Sequence, residues 1–450
     1  MNERKTCTPV TPLGECPSIE VDKVFLQGSC DAMIMAWNLV DAINKEETDV
    51  FDPVVVIDGV IIPRLLFVDD ILEIIKSVED LGITVVGNET FEKANRLCFK
   101  QSKCKIICSN CEVNLDITMN GVKLEIVDEH EYLGTIIASE GRESDMKKRI
   151  GDCKGVLNEI VEICKMSGIG EIRMIFVTML IAICFKSKFK YGCEVWDRFT
   201  KAELSLVNKL IPDMLKRVLE LPRSTPTTAI IHDLGVVDLD LEVAMERILL
   251  ASKISKLDEN RVSKLLFKSL FEKGVPGFCT NMAQDMKMVG IGSLEALQTE
   301  SNERKAMKDR LVGVQKDRLT AAMMCGSKTD AMLLNFSYDG HMKKYFTQLS
   351  FRESRIVFML RARMFPTKSN FPNRWSQSKL CVFCCCLDTD EHLFHCCGYM
   401  DLHNYELSHE MFLRLDGEPE VLSYGAKILI QIHDRLVQIN EDEEINKCAD

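Results

Sequence analysis

The chain has 450 residues, 46% of them apolar and 28% charged, an ordinary globular composition with room for two or three domains. Its formal charge of −12 argues against a surface that binds nucleic acid indiscriminately. That charge is uneven: residues 1 to 150 carry 16 basic against 27 acidic residues, 301 to 400 carry 16 against 9, and 401 to 450 carry 4 against 12. Twenty cysteines without an N-terminal apolar signal segment point to a reducing compartment, nucleus or cytoplasm, where thiols stay free or bind metal. The longest strongly apolar run, Met174 to Phe185, is too short to span a bilayer and reads as a buried helix, so no membrane is expected as a partner.

In chain order, residues 1–21 read as a flexible lead containing Pro9, Pro12 and Pro17. Helical spacing of Met33, Ala36, Trp37, Val40 and Ile43 predicts a helix over 31–43, after a Gln27-Gly28 turn. Val54 to Ile57 and Val60 to Phe67 read as strands joined by Asp58-Gly59, with Pro63 favouring an edge. Residues 72–80 read as an amphipathic helix stopping at Asp80-Leu81-Gly82, and Ile83 to Val86 as a short strand. Lys123 to Val127 and Tyr132 to Ala138 read as a hairpin around Asp128-Glu129-His130-Glu131. Beyond Asp145 the pattern is helical: Val156 to Met166, Ile172 to Phe185, Leu204 to Leu219, then, past Leu221-Pro222, Leu239 to Leu257 and Val262 to Phe271. Gly274, Pro276 and Gly277 mark a boundary.

Two adjacent carboxylates, Asp69 and Asp70, interrupt the apolar run Leu65-Leu66-Phe67-Val68 before Ile71-Leu72 resumes it. Carboxylates among apolar residues need a compensating partner, and a hairpin tip that presents both to a divalent cation supplies one. Mg²⁺ suits such oxygen ligands. The competing reading is an Asp69 N-cap on a helix through Lys76.

The order Gln-Gly turn, helix, strand, Asp-Asp hairpin, lysine segment, apolar hairpin and helical region resembles the palm and thumb of reverse transcriptases from non-LTR (LINE-type) retrotransposons. Leu66 to Leu72 resembles the catalytic hairpin of that family, Gln27-Gly28 its Gln-Gly turn, and Gln101-Ser102-Lys103 its Ser-Lys element. Tyr132-Leu133-Gly134 matches its Tyr-Leu-Gly primer grip, while Tyr191 to Trp196 and Leu221 to Pro226 resemble recurring thumb segments. The resemblance implies Mg²⁺ or Mn²⁺ at Asp69 and Asp70, Lys103 as proton donor to pyrophosphate, and template and nucleotide contacts at Gln27, Gly28 and Phe67. The implied partners are an RNA template and a DNA primer or target. The family's two-metal chemistry also needs an aspartate on a strand upstream of the Gln-Gly turn, and only 26 residues precede Gln27. Val24 replaces a glycine, and Ser29 to Met33 replaces a stretch ending in Ser-Pro. No polymerase activity is expected from this chain alone.

Cys381-Val382-Phe383-Cys384, then His392 and Cys396-Cys397, has zinc-ligand spacing, since a Cys-x₂-Cys turn aims two sulfurs at one point. It resembles the Cys/His knuckle near the C-terminus of these elements, with Thr389-Asp390-Glu391-His392-Leu393 as its core. Cys381, Cys384 and His392 are clear ligands. Cys397 is preferred as the fourth over Cys396, and a metal-free cysteine-rich turn is the alternative. Cys104, Cys108 and Cys111 form a weaker, structural group. Basic residues from Arg304 to Arg318, Lys343-Lys344 and Arg352 to Arg363 interleave with Tyr345, Phe346, Phe351 and Phe358, a mixture suited to phosphate neutralisation and base stacking.

The expected fold is α+β: a partial palm at 22–140 built on a small antiparallel sheet, a helical thumb at 141–272, a basic helical linker at 273–380, a zinc knuckle at 381–399 and a helical acidic tail at 400–450. The expected function is that of a truncated or degenerate RNA-directed DNA polymerase. The alternative is a non-enzymatic RNA- or DNA-binding protein that uses the thumb, the basic segment and the knuckle.

Overall fold

A computed structural model describes residues 5–7, 10–11, 14–15, 19–21, 55–57, 59–62, 64–67, 70–95, 98–109, 116–139, 143–166, 174–299, 302–326, 333, 336–371, 380–381, 384–395, 407–414 and 418–449. Contacts divide the chain into two compact units, residues 1–145 with 258–269, and residues 146–257 with 270–450. The described residues are mostly helical, with small two-stranded sheets.

In the first unit, β1 (Lys5–Cys7) pairs with β4 (Ile19–Val21) and β2 (Val10–Thr11) with β3 (Gly14–Glu15), so part of the expected flexible lead has strand pairing. The expected helix over 31–43 lies outside the described residues. β5 (Val55–Ile57) and β6 (Val60–Ile62) form a hairpin around Gly59, whose φ of 77° is a left-handed geometry open to glycine at little cost. The apolar run expected as one strand to Phe67 is divided between β6, which ends at Ile62, and a strand that starts at Leu65; the intervening sequence holds a proline, which has no N–H for a ladder. The chain resumes as β7 (Leu65–Phe67) paired antiparallel with β8 (Asp70–Leu72).

Helix α1 (Val78–Asn95) replaces both the helix expected at 72–80 and the strand expected at Ile83 to Val86. Ser77 starts it: its Oγ accepts from Asp80 N at 3.1 Å, and Glu79 and Asp80 fill the first turn, where the helix dipole favours acids. Gly82 therefore sits inside a helix, at a cost of about 1 kcal/mol relative to alanine. β9 (Lys105–Ile107) pairs parallel with β12 (Glu125–Val127), and β10 (Thr118–Met119) pairs with β11 (Val122–Lys123). The acidic stretch expected as a turn is itself β13 (Glu129–Tyr132), paired with β14 (Thr135–Ala138). The tight turn is Leu133-Gly134, with φ of 50° and 76°, the paired left-handed geometry of a two-residue hairpin. The hairpins remain separate two-stranded pairs among the described residues and do not join into one palm sheet. The buried core here is small: Val85, Met119 and Leu124, with Leu81, Phe99, Cys104, Ile106 and Ile117 against it.

The second unit is a layered helical assembly. It comprises α2 (Glu143–Met166, from Met146 onward) and α3 (Met174–Leu180), the latter running on through a π turn to Lys190. Next come α4 (Lys201–Val207), α5 (Leu210–Val218), α6 (Thr227–Leu234) and α7 (Leu239–Ser255). Downstream lie α8 (Phe278–Met288), α9 (Leu294–Gln298), α10 (Glu303–Met324), α11 (Tyr345–Gln348), α12 (Phe351–Arg361), α13 (His409–Arg414) and α14 (Pro419–Ala449).

Thr200 with Glu203 caps α4, and Ser350 with Glu353 caps α12, each by a reciprocal capping box. α7 packs on α8, α9 and α10, and α12 packs on α13 and α14. One continuous core runs from Met146 to Leu436 and includes Cys381, Leu393 and Phe394. The described residues of 273–380 belong to this unit, where α10 buries Met307, Leu311, Gln315, Leu319 and Met323 along one face and contributes Leu319 and Met323 to this core.

Candidate metal centre

The knuckle starts from an isolated bridge between Leu380 and Leu387. Inside it, Cys381 N donates to Cys386 O at 2.7 Å and Cys385 N donates to Cys381 O at 3.1 Å. Cys385 adopts a left-handed φ of 54°, which closes the turn. His392 opens a 3₁₀ turn (His392–Phe394) whose N–H is held by Thr389 Oγ1 at 3.1 Å, with Leu393 and Phe394 buried as anchors. Cys384 Sγ and His392 Nε2 lie 3.1 Å apart, and one ligand atom each from Cys381, Cys384 and His392 fall within 4.8 Å of one another. Two thiols and an imidazole are the donor set zinc prefers, and they are already gathered in position to hold it. Cys396 and Cys397, the candidates for a fourth ligand, lie outside the described residues.

A second layer ties the ligand loop down. Asp388 accepts from Lys368 N at 2.7 Å, and Asp388 O accepts from Ser369 N at 3.0 Å. Asp390 accepts from Asn370 Nδ2 at 2.8 Å; burial pushes its carboxyl up to about 7, against the opposing effects of Asn370 and Arg363. Such outer partners fix the orientation of metal ligands.

Around the acidic pair, β7 and β8 put Phe67 opposite Asp70, with Val68 and Asp69 between them in sequence. Those two residues, with Gln27 and Gly28, lie outside the described residues. Asp70 and Phe67 are exposed. Tyr132 Oη donates to Leu65 O at 3.3 Å, so the Tyr-Leu-Gly hairpin touches the Asp70 hairpin. Partial burial, and then the Asp70 charge, raise the Tyr132 phenol. Leu133 and Gly134 form the turn beside it. Lys103 is exposed on a 3₁₀ turn (Gln101–Lys103) and makes no hydrogen bond or ion pair with Asp70 among the described residues. Beneath the hairpin, Arg64 Nε meets Glu73 Oε1 at 2.5 Å and Asn88 Nδ2 reaches Glu73 at 3.3 Å. Burial raises the Glu73 carboxyl, while Arg64 pulls it back. This ion pair brackets the acidic pair in sequence, a signal that opposite charges flanking a hairpin provide.

Cys104 Sγ reaches Lys100 O at 3.6 Å and Cys108 is half-buried, in keeping with structural roles; Cys111 lies outside the described residues.

In the basic block the aromatic side chains are turned inward, whereas Arg304, Lys305, Lys308, Arg310, Lys316, Lys344 and Arg352 are exposed. Tyr345, Phe346, Phe351 and Phe358 are all buried and have no face open for base stacking. Arg304 clasps Glu246 at 2.9 and 2.8 Å, and Arg318 clasps Asp240 at 3.0 and 2.9 Å. Arg355 caps the carbonyls of Leu219 and Glu220. Arg361 is fully buried, its Nε 2.6 Å from Asp233 Oδ2 and its Nη2 2.9 Å from Asp233 Oδ1. Tyr345 Oη donates to the same carboxylate at 2.9 Å, and His232 Nδ1 lies 2.7 Å from it, with His232 Nε2 3.2 Å from Phe336 O. Burial pushes the Asp233 carboxyl up, but the Arg361 guanidinium and His232 more than reverse this and hold it far below the carboxylate range. Sequence reading missed this cluster because its members are scattered from 232 to 361 and only the packing of α6, α11 and α12 joins them.

Among the described residues no disulfide forms, and no helix is long and apolar enough to cross a membrane. Comparison with protein-family models finds no match, and comparison with curated proteins finds none either.

Proposed function

We propose that this chain is a degenerate reverse transcriptase of the non-LTR retrotransposon type, stapled by zinc at its C-terminal knuckle, which extends no primer by itself. The observation that carries the reading is the β7–β8 hairpin: Phe67 pairs antiparallel with Asp70, as the hairpin reading of the acidic pair requires and the N-cap reading does not. The Tyr132 bond to Leu65 and the Cys381, Cys384, His392 group, met in the expected chain order, support it.

Asp69 and Asp70 would contribute the carboxylates of a divalent-ion site, and such ions supply charge stabilisation to phosphoryl transfer. Among the described residues, the strands that precede β7 carry no aspartate, so they add no second bridging carboxylate to Asp70. Losing such positioning costs several kcal/mol of barrier. Purified protein given primer, RNA template, dNTPs and Mg²⁺ should show no extension. Robust extension abolished by Asp69→Ala would overturn the claim of inactivity.

The non-enzymatic reading is favoured by one feature, the exposed Lys305, Lys308 and Lys316 on α10. If they bind phosphates, RNA affinity should fall with salt, and replacing all three with Ala should reduce the slope by about 2 to 3.

A further inference from the structure

Cys385 and Cys386 extend the metal-ligand pair into three consecutive cysteines, and neither belongs to the ligand group. Both are exposed, Cys384 is half-buried and Cys381 is buried. The left-handed Cys385 folds the chain back on itself, and Cys386 O is pinned to Cys381 N at 2.7 Å. The turn thereby brings the exposed Cys386 back against Cys381, two residues from Cys384. A metal ligand thus has a solvent-facing thiol beside it, two residues along the chain.

We infer that the knuckle is a peroxide-sensitive zinc switch in which Cys386 resolves an oxidised Cys384 and expels the metal. This rests on the reading that Cys381, Cys384 and His392 hold zinc. A metal-ligating thiol is a thiolate, and thiolates are the nucleophiles of sulfur oxidation. The Cys384 sulfur attacks one oxygen of a hydroperoxide, breaking the O–O bond; Cys384 becomes a sulfenic acid and the other oxygen leaves as alkoxide or hydroxide. The Cys386 thiol then attacks the sulfenic sulfur, forming the Cys384–Cys386 disulfide and releasing water with the Cys386 proton. Two electrons pass from the two sulfurs to the peroxide, and zinc keeps its charge throughout. Cys384 has then lost its thiolate, and the remaining ligands are too few for a closed structural site.

The test uses the full chain, purified under reducing conditions. Zinc is first counted by elemental analysis, and one ion per chain is expected. Hydrogen peroxide is then added, released zinc is followed with a chromogenic chelator, and the disulfide is mapped by mass spectrometry after alkylation. The parent should release its zinc with a Cys384–Cys386 disulfide, and dithiothreitol with added zinc should reverse both. Cys386→Ser should form no disulfide and carry Cys384 from sulfenic to sulfinic acid, so that dithiothreitol with added zinc no longer restores the metal, whereas Cys385→Ser should behave as the parent. A reduced protein without zinc would overturn the metal reading and the switch with it. A zinc-loaded protein in which no such disulfide forms, or in which oxidised Cys386→Ser regains zinc with dithiothreitol as fully as the parent, would overturn the switch alone.

Discussion

The two compact units contrast in where their polar chemistry sits. In the first, the charged and aromatic residues that stand out in sequence, Asp70 and Phe67, are at the surface of a short hairpin above a small core. In the second, the equally conspicuous residues Arg361, Tyr345 and Phe358 are inside a core that runs from Met146 to Leu436. A run of basic and aromatic residues therefore means different things in the two places. A two-stranded hairpin has few neighbours with which to cover a side chain, whereas a stacked helical unit surrounds even a guanidinium and must then pair it.

The largest expected effect tests that pairing. Asp233→Asn leaves the Arg361 guanidinium buried without its counter-charge and should cost about 3–5 kcal/mol, read as a lower urea midpoint by far-UV circular dichroism. A change under about 1 kcal/mol would mean that the other partners of the cluster, including Leu413 O, which accepts from Arg361 Nη1, satisfy it without the charge.

The aromatic contrast comes next. Phe358→Ala, at a fully buried position, should cost about 3–5 kcal/mol. Phe67→Ala, 57% exposed, should stay within about 0.5 kcal/mol. Equal losses at the two positions would break the comparison.

A smaller, pH-dependent effect sharpens the account of Asp233. Its carboxyl is depressed in the folded state, so its contribution is complete above the unfolded value of about 3.9 and is lost as pH falls toward the folded value. The stability gap between the parent and Asp233→Asn should hold from pH 7 to 5 and narrow below pH 4. A gap that widens there would reverse the sign.

The smallest effect concerns Cys385 at φ 54°. Cys385→Gly removes the left-handed penalty and should stabilise the zinc-loaded chain by about 1 kcal/mol, seen as a modest rise in Tm. A fall would mean that the Cys385 side chain itself supports the knuckle.

Sequence and structure agree where the signal is local. The Leu66 to Leu72 hairpin, the Cys-x₂-Cys turn with His392, and the helices over Val156 to Met166 and Leu239 to Leu257 were all readable from turn chemistry and periodicity. Where two local signals competed, the reading failed. Gly82 reads as a helix stop in the sequence, yet the structure carries α1 straight through it from a cap at Ser77. At Asp128 to Glu131 the polar run reads as a turn, whereas the structure puts Glu129 to Glu131 in β13 and turns at the left-handed pair Leu133-Gly134.

What the sequence alone determined is short-range: the acidic pair in its apolar frame, the zinc-ligand spacing, the helical periods beyond Asp145. What only the tertiary structure decided is which charged and aromatic residues are inside. Asp233 and Arg361 are 128 residues apart and meet at 2.6 Å. No local pattern encodes that meeting, because the cost of burying either charge is offset only when packing brings the other to it.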